Sequence, residues 1–236
     1  ARGSSRVVRF ADGGEVAAHT VVLATGVEYH RLAVPGADRL TGLGVFYGLS
    51  ATEASTCAER EVYVVGGGNS AGQAAVFLAR HARQVTLLVR AAALEGSMSH
   101  YLIRQIREVG NVQVRTGTEV AAVDGEQHLE RLELCDTGTG TMEEVASNFL
   151  FVFIGAAPCT EWLDGVVARD PDGFLLTGPA LLVGGKRPSG WPLDRDPYHL
   201  EGSVPGIFAA GDVRANSVKR VASAVGEGAM AIQLVH

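Results

Sequence analysis

The sequence has little cysteine, and its few thiols and imidazoles are not grouped. Cys57, Cys135 and Cys159 are the three cysteines, and they form no CxxC pair. The histidines are isolated as well, with no HExxH or similar spacing that would predict a metal site. Neither a zinc site nor a disulfide framework is therefore expected, and no metal ligand is assigned. Buried thiols that act as small hydrophobic side chains are the favoured interpretation.

Long apolar runs and runs of like charge are missing too. No stretch reaches the roughly 18 to 20 apolar residues of a membrane span, and the start of the chain lacks a signal peptide's apolar segment. The net charge is −6, and the arginines are scattered rather than clustered as phosphate binding requires. We therefore expect no membrane segment, no nucleic-acid partner and a cytoplasmic location. Without a GxSxG motif at a strand-to-helix turn, serine hydrolase chemistry is unsupported.

Glycine, by contrast, is abundant. The 236 residues include 30 glycines without a collagen-like period, which predicts tight turns and places where the backbone approaches a ligand closely. With 47% hydrophobic and 19% charged residues, the composition is that of an ordered chain with a real core. The length suits two modest domains, or one domain inserted into another.

One segment has the pattern of a dinucleotide-binding βαβ unit. The hydrophobic pattern predicts a strand at Glu61–Val65, a helix from Ser70 to about Ala82 and a strand at Val85–Val89. The turn between the first strand and the helix satisfies GxGxxA. Its predicted cofactor-binding residues are Gly66, Gly68, Asn69, Ser70 and Ala71.

Each residue type in this turn has a physical reason. Gly66 permits the tight turn, Gly68 lets the backbone approach a diphosphate, and Ala71 lets the helix pack against the strand. Asn69 or Ser70 is expected to cap the helix, whose free N–H groups and partial positive charge attract the diphosphate. A glycine turn that binds nothing is the alternative, and the complete βαβ pattern argues against it.

The residue after the second strand bears on the choice of nucleotide. An NAD-preferring site normally has Asp or Glu there, whereas this chain has Arg90. A guanidinium can form charge-assisted hydrogen bonds with a 2′-phosphate, so NADP(H) is favoured. The alternative is a solvated surface arginine, because Ala91–Ala93 supplies no second cation.

Short strands and two further helices are predicted in the rest of the chain. A hairpin at Arg6–Val22, a buried strand at Val21–Leu23 and an amphipathic helix at Ser99–Val109 lie on either side of the βαβ unit. Four strands read as an antiparallel meander laid on the parallel sheet: Val112–Arg115, Glu119–Val123, Leu129–Cys135 and Phe149–Ile154. A strand at Gly206–Ala210 and a small-residue helix at Val221–Val235 close the chain.

Three strings outside the βαβ unit resemble one family. They are Ala24-Thr25-Gly26 after a strand, residues 151–158 around Gly155, and residues 204–212, which end in Gly211-Asp212. In their order and spacing they resemble the thioredoxin reductase-like flavoproteins, a group of FAD- and NAD(P)-dependent pyridine nucleotide-disulfide oxidoreductases. The resemblance covers nearly the whole chain.

The resemblance implies a fold, two cofactors and further site residues. The fold is α/β, with a Rossmann-like NADP(H)-binding domain at residues 45–157 inserted into an FAD-binding domain made of residues 1–44 and 158–236. Asp212 would hydrogen-bond the ribityl chain of FAD, and Lys219, Arg220 and Val221 would present backbone to the flavin ring. The other implied cofactor-binding residues are Thr25, Gly26, Gly155 and Gly211.

Two departures from the family pattern change what is expected. Family members that reduce thioredoxin have CxxC after a Gly-Val-x-Tyr segment, but residues 44–51 read Gly-Val-Phe-Tyr-Gly-Leu-Ser-Ala. Cys57 alone cannot replace a dithiol. The chain also opens on a hairpin, without the family's first GxGxxG for the FAD diphosphate, so we expect a fragment of a longer protein that binds flavin poorly by itself.

These features predict a flavin-dependent NADPH oxidoreductase in which no side chain acts as a catalytic acid or base. Hydride would pass from NADPH to FAD and then to an external acceptor whose identity stays open. A thioredoxin reductase is one alternative, and a module that senses NADP(H) without turnover is another. The oligomeric state is also open, and a homodimer is compatible with the resemblance.

Overall fold

A computed structural model describes residues 5–235 of the chain, so residues 1–4 and 236 of the predicted domain pieces lie outside the described part. Its strands, in chain order, are β1 Arg6–Arg9, β2 Glu15–Ala18, β3 Val21–Leu23, β4 Val27–Tyr29, β5 Val45–Phe46, β6 Glu61–Val65, β7 Gln84–Val89, β8 Val112–Thr116, β9 Thr118–Asp124, β10 Arg131–Asp136, β11 Met142–Ala146, β12 Leu150–Val152, β13 Ala156–Pro158 and β14 Ile207–Ala209. Its α-helices are α1 Ala51–Thr56, α2 Asn69–Leu78, α3 His100–Glu108 and α4 Val221–Val235.

The chain divides into two compact units. The first unit contains the chain up to Glu28 together with everything from Ala156 onwards, and the second runs from Tyr29 to Gly155. The second unit therefore begins earlier than the expected domain start at residue 45. The reason is packing, because Ala37 and Leu40 are fully buried in the same core as Val45.

The second unit is built on a five-stranded parallel sheet in the order β5-β12-β6-β7-β8. Its central strands β6 and β7 are almost continuously buried, as expected when both faces of a parallel sheet are covered. On one face the small side chains of α2 allow close approach, and Ala71, Ala74 and Ala75 pack against Val62 and Val64. The predicted βαβ unit is thus present, although α2 ends at Leu78 rather than near Ala82.

The predicted meander is partly wrong. Only β9 and β10 of the four predicted strands belong to it, and β11, which was not predicted, completes a three-stranded antiparallel sheet. The two outer strands of the prediction, β8 and β12, instead pair in parallel with β7 and β6. Their buried apolar residues suit either sheet, and hydrogen bonding to a distant strand decides between the two.

The first unit contains three two-stranded sheets and the long helix α4. The hairpin of β1 and β2 is antiparallel as predicted, whereas β3 and β14 pair in parallel. The strands β4 and β13, which were not predicted, form the third pair. Leu23, Ile207, Ala209 and Val213 belong to the core of this unit. In residues 5–235 no helix is long and apolar enough to span a membrane.

Candidate functional site

The glycine turn after β6 is shaped by the neighbouring end of the sheet. Gly66 has φ +144°, and a Cβ placed on it would lie 2.3 Å from the carbonyl oxygen of Phe153 and 2.9 Å from Cβ of Ala71. No other residue type fits this position without moving the backbone. Gly66 and Ala71 therefore bring the end of β6, the start of α2 and the end of β12 into direct contact.

The backbone at the start of α2 is open. A Cβ on Gly68 would have as its one close neighbour the carbonyl oxygen of Ser97, 3.9 Å away. The first hydrogen bond of the helix runs from the N–H of Gly72 to the carbonyl of Gly68 at 3.1 Å. The N–H groups of Asn69, Ser70 and Ala71 are thus left outside the helical ladder, where an anion can accept from them.

The prediction that Asn69 or Ser70 caps α2 is wrong. The N-cap residue is Gly68, and no side chain accepts from the first turn of the helix. The Asn69 side chain turns away, because its Oδ1 accepts a hydrogen bond from the N–H of Ser99 at 2.8 Å. Asn69 therefore joins the starts of α2 and α3 and leaves the N–H groups of α2 unobstructed.

The segment between β7 and α3 covers the glycine turn, which sequence reasoning missed. The hydroxyl of Ser97 donates to the carbonyl of Gly67 at 2.7 Å. At Gly72 a Cβ would lie 2.6 Å from Leu102 and 2.9 Å from Met98, so α2 and α3 approach closely. The Ser97-Met98-Ser99 run before α3 was the available signal, but a local pattern cannot show that it folds back onto Gly67.

Arg90 directly follows β7 and is exposed. Within the described part of the chain its guanidinium has no hydrogen-bond or ion-pair partner, whereas nearby Arg115 is bound to Glu143 at 2.7 Å. The carboxyl ends of β6 and β7 lie at the same edge of the parallel sheet, which is where such folds bind nucleotides. Arg90 is thus the uncommitted cation at that edge.

The position of the family's dithiol is occupied by a helix start. Ser50 and Glu53 form a capping box at the beginning of α1, with reciprocal hydrogen bonds of 3.3 and 2.7 Å. Cys57, at the end of this helix, is fully buried, and burial raises the pKa of its thiol to about 11. All three cysteines of the chain are free. A thiol held protonated in a core is a poor nucleophile for disulfide exchange.

The second candidate site lies in the first unit, where β3 and β14 end side by side. Thr25 and Gly26 follow β3, Gly211 and Asp212 follow β14, and the N–H of Ala210 donates to Leu23 at 3.0 Å. The carboxylate of Asp212 is half-buried and accepts no hydrogen bond within residues 5–235. It is a polar group at the carboxyl edge of parallel strands with its acceptor capacity unused.

An ion pair that the sequence did not predict lies directly behind Asp212. Glu227 accepts from the backbone N–H of Gly211 at 2.6 Å and is bound by two nitrogens of Arg214, at 3.0 and 2.6 Å. The third nitrogen of Arg214 donates to the hydroxyl of Thr177 at 2.7 Å. The hydrogen bonds from Arg214 hold the pKa of Glu227 below its usual value.

The segment between Asp212 and α4 contains the remaining predicted flavin contacts. The Lys219 ammonium lies 4.2 Å from the ring centre of Phe174, whereas Arg220 is exposed and has no side-chain partner within the described residues. Val221 begins α4 with 82% of its surface exposed. In residues 5–235 the hydroxyl of Ser217 is the one buried side-chain polar atom without a hydrogen-bond partner.

Gly155 is placed at the end of the second unit, in contact with His30. It has φ +99°, and its carbonyl accepts from the N–H of His30 at 3.0 Å. The His30 ring lies over it, with Nδ1 3.3 Å from the carbonyl oxygen of Ile154. The conformation explains why glycine occupies the position. No cluster of metal-ligating side chains occurs in the described part of the chain.

Comparison with known proteins defines the class. Residues 2–228 match the family described as pyridine nucleotide-disulphide oxidoreductase, and the chain belongs to that family. The α/β fold predicted from the sequence is confirmed, and the cofactors of this family are FAD and NADPH, as the sequence predicted. The chain is thus a flavoprotein-type oxidoreductase sequence of the thioredoxin reductase-like kind.

Individual relatives bear two kinds of name. A component of the alkyl hydroperoxide reductase of Pseudomonas putida is 35% identical over 98% of this chain, and thioredoxin reductase of Bacillus subtilis (strain 168) is 31% identical over 94%. The chain spans 40% of the first and 63% of the second. The crystal structure of thioredoxin reductase from Streptococcus pyogenes MGAS5005 superposes with a TM-score of 0.75 at 28% identity, covering 99% of this chain and 69% of that one.

Proposed function

We propose that this chain is the nucleotide-handling part of a flavin-dependent NADPH oxidoreductase whose electrons leave for an acceptor other than a dithiol of this chain. When bound, NADPH and FAD supply the chemistry, a hydride transfer from nicotinamide C4 to flavin N5. The residues of the chain bind and orient the two cofactors, and none of them is assigned a proton-transfer role. The proposal is carried by the unused N–H groups at the start of α2 behind the glycine turn.

NADP(H) is assigned to the second unit. The N–H groups of Asn69, Ser70 and Ala71 would hold the diphosphate, since Gly68 leaves the approach open. Gly66 would act indirectly by allowing the turn. Arg90 would hold the 2′-phosphate, because it is the cation at the carboxyl edge of β7 without a protein partner in the described residues.

FAD is assigned to the first unit. Asp212 would accept hydrogen bonds from ribityl hydroxyls, and the unpartnered Ser217 hydroxyl is a further group that a polyhydroxylated ligand can satisfy. Thr25, Gly26 and Gly211 would lie at the same strand ends. Lys219, Arg220 and Val221 would line the flavin ring, and Gly155 would lie beside the cofactors by resemblance to the family.

The acceptor is a separate proposal. The separated free cysteines favour an external acceptor such as oxygen, a quinone, an iron–sulfur protein or a disulfide outside this chain. The names of the relatives favour a disulfide among these, so thioredoxin reduction stays the second candidate. A sensor that binds NADP(H) without turnover is the third. The cytoplasmic location and a homodimer stay predictions.

Rapid mixing tests the enzyme proposal. The natural full-length protein, loaded with FAD, is mixed with NADPH, and flavin absorbance near 450 nm is followed by stopped-flow. We expect bleaching to be complete well within a minute. An absorbance that stays unchanged for minutes while NADPH is bound would instead support the sensor.

A titration tests the nucleotide preference. We expect NADPH to bind at least about tenfold more tightly than NADH, and Arg90→Ala to remove that difference while leaving NADH affinity unchanged. Arg80→Ala is the matched control, because Arg80 is also exposed but follows the opposite end of α2. Equal affinities for the two nucleotides, or equal losses for both in Arg90→Ala, contradict the 2′-phosphate role.

A further inference from the structure

We propose that Glu227, held by Arg214, is a positioning residue that fixes the Gly211–Asp212 turn for FAD. The inference rests on the proposed role of Asp212 and adds the group that determines where its carboxylate lies. Glu227 is 15 residues beyond Asp212 in the sequence, on a different element, α4.

Both peptide groups of Gly211 are held. Its N–H donates to Oε2 of Glu227 at 2.6 Å, and its carbonyl accepts from the N–H of Arg214 at 3.1 Å. Its φ of +79° directs the chain sharply, and a Cβ there would lie 3.2 Å from Cβ of Ala224 on α4. Asp212 therefore leaves a fixed point, and its own side chain is free for a ligand.

The ion pair that holds the turn is rigid. The side chains of Arg214 and Glu227 are only 10% and 17% exposed, and Thr177, which accepts from Arg214, is buried. Two parallel guanidinium hydrogen bonds fix the plane of the carboxylate as well as its position. A site preorganised in this way loses less conformational freedom when a ligand binds.

The same unit provides a matched control at the other end of β14. Glu201 is fully buried, is bound by two nitrogens of Arg195 at 2.6 and 3.1 Å, and accepts from the N–H of Gly206 at 3.0 Å. Gly206 precedes β14, whereas Gly211 follows it. Ligands bind at the carboxyl ends of parallel strands, so the pair at Glu201 should stabilise the fold without affecting flavin.

The test compares FAD binding with stability in the natural full-length protein. Apoprotein of the wild type, Glu227→Gln, Glu201→Gln and the double variant Arg214→Met/Glu227→Gln is titrated with FAD by flavin fluorescence. Thermal unfolding of each apoprotein is measured in parallel. The double variant removes the guanidinium that Glu227→Gln leaves buried without its charge partner, so it should recover stability.

We expect Glu227→Gln to weaken FAD binding about tenfold or more, and Glu201→Gln to change it less than about twofold despite a similar loss of stability. In the double variant stability should recover and FAD affinity should stay low. Affinity that recovers with stability, or that falls equally in Glu201→Gln, overturns the positioning role. A wild type that binds no FAD refutes the proposed function itself, and the positioning role with it.

Discussion

The turn after β6 and the turn after β14 both lie at the carboxyl edge of parallel strands, but different forces shape them. The glycine turn is shaped by exclusion, because the Phe153 carbonyl and Ala71 leave no room for a side chain on Gly66. The Gly-Asp turn is shaped by attraction, through the buried pair of Arg214 and Glu227. Steric limits leave a local signature of small residues in the sequence, whereas the ion pair joins residues that no local motif connects.

The largest effect that separates the two turns should come from Gly66→Ala. The added Cβ would meet a backbone oxygen at 2.3 Å at a positive φ. We expect the second unit to lose about 3 kcal/mol or more of unfolding free energy, measured by urea denaturation. Gly96→Ala is the control, since a Cβ there has nothing within 4 Å. Similar losses in both variants would show that the steric explanation is wrong.

The Gly-Asp turn should respond in the opposite way to Asp212→Ala. Because the carboxylate accepts no hydrogen bond within the described residues, its removal should leave unfolding unchanged within about 0.5 kcal/mol. FAD affinity should fall about tenfold or more, since ribityl contacts are lost. Asp172→Ala, an exposed aspartate of the same unit, should change neither quantity. FAD affinity that survives Asp212→Ala would remove Asp212 from the site.

Acid should affect the Gly-Asp turn but not the glycine turn, which contains no carboxylate. Hydrogen bonds from Arg214 and Gly211 lower the pKa of Glu227, and the charge of nearby His199 acts in the same direction. A lowered pKa in the folded state stabilises above the unfolded value and is lost as pH falls through the folded one. The stability difference between wild type and Glu227→Gln should therefore shrink below about pH 4.5. A difference that stays constant from pH 7 to pH 3 contradicts the ionic account.

The smallest effect should come from Ser97→Ala at the glycine turn. It removes one exposed hydrogen bond of 2.7 Å to the Gly67 carbonyl, which is worth about 1 kcal/mol or less. We expect NADPH affinity to fall a few-fold, measured by fluorescence titration. Ser55→Ala is matched in chemistry, because the Ser55 hydroxyl donates to the carbonyl of Thr52 at 2.7 Å in α1. No change in Ser97→Ala would leave the turn held by sterics alone.

The sequence predicts the parts of the fold that depend on neighbouring residues. The strands and glycine turn of the βαβ unit and the helix α4 follow from local patterns, and α4 has the predicted bounds. By contrast, β11 has the sequence MEEVA, is mostly exposed and shows no apolar alternation, so it was not predicted. The sheet to which β12 belongs is decided by pairing with β6, a strand far away in the sequence.

The candidate sites follow the same rule. The glycine positions and Arg90 are recognisable from spacing, because a strand, a turn and a helix must follow each other within a few residues. The capping role of Asn69 was predicted wrongly, since its acceptor is used by Ser99, 30 residues further along. Glu227 and Thr177 were not predicted, because their partner Arg214 is 13 and 37 residues away in the sequence.

The capping box at the start of α1 also limits how many electrons the chain can hold. A dithiol at this place would act as a second reservoir for an electron pair, next to the flavin. With Ser50 and Glu53 committed to capping and Cys57 buried, the chain has no such reservoir there. Its capacity is then that of the flavin alone, and thiol-alkylating reagents directed at this position find no target.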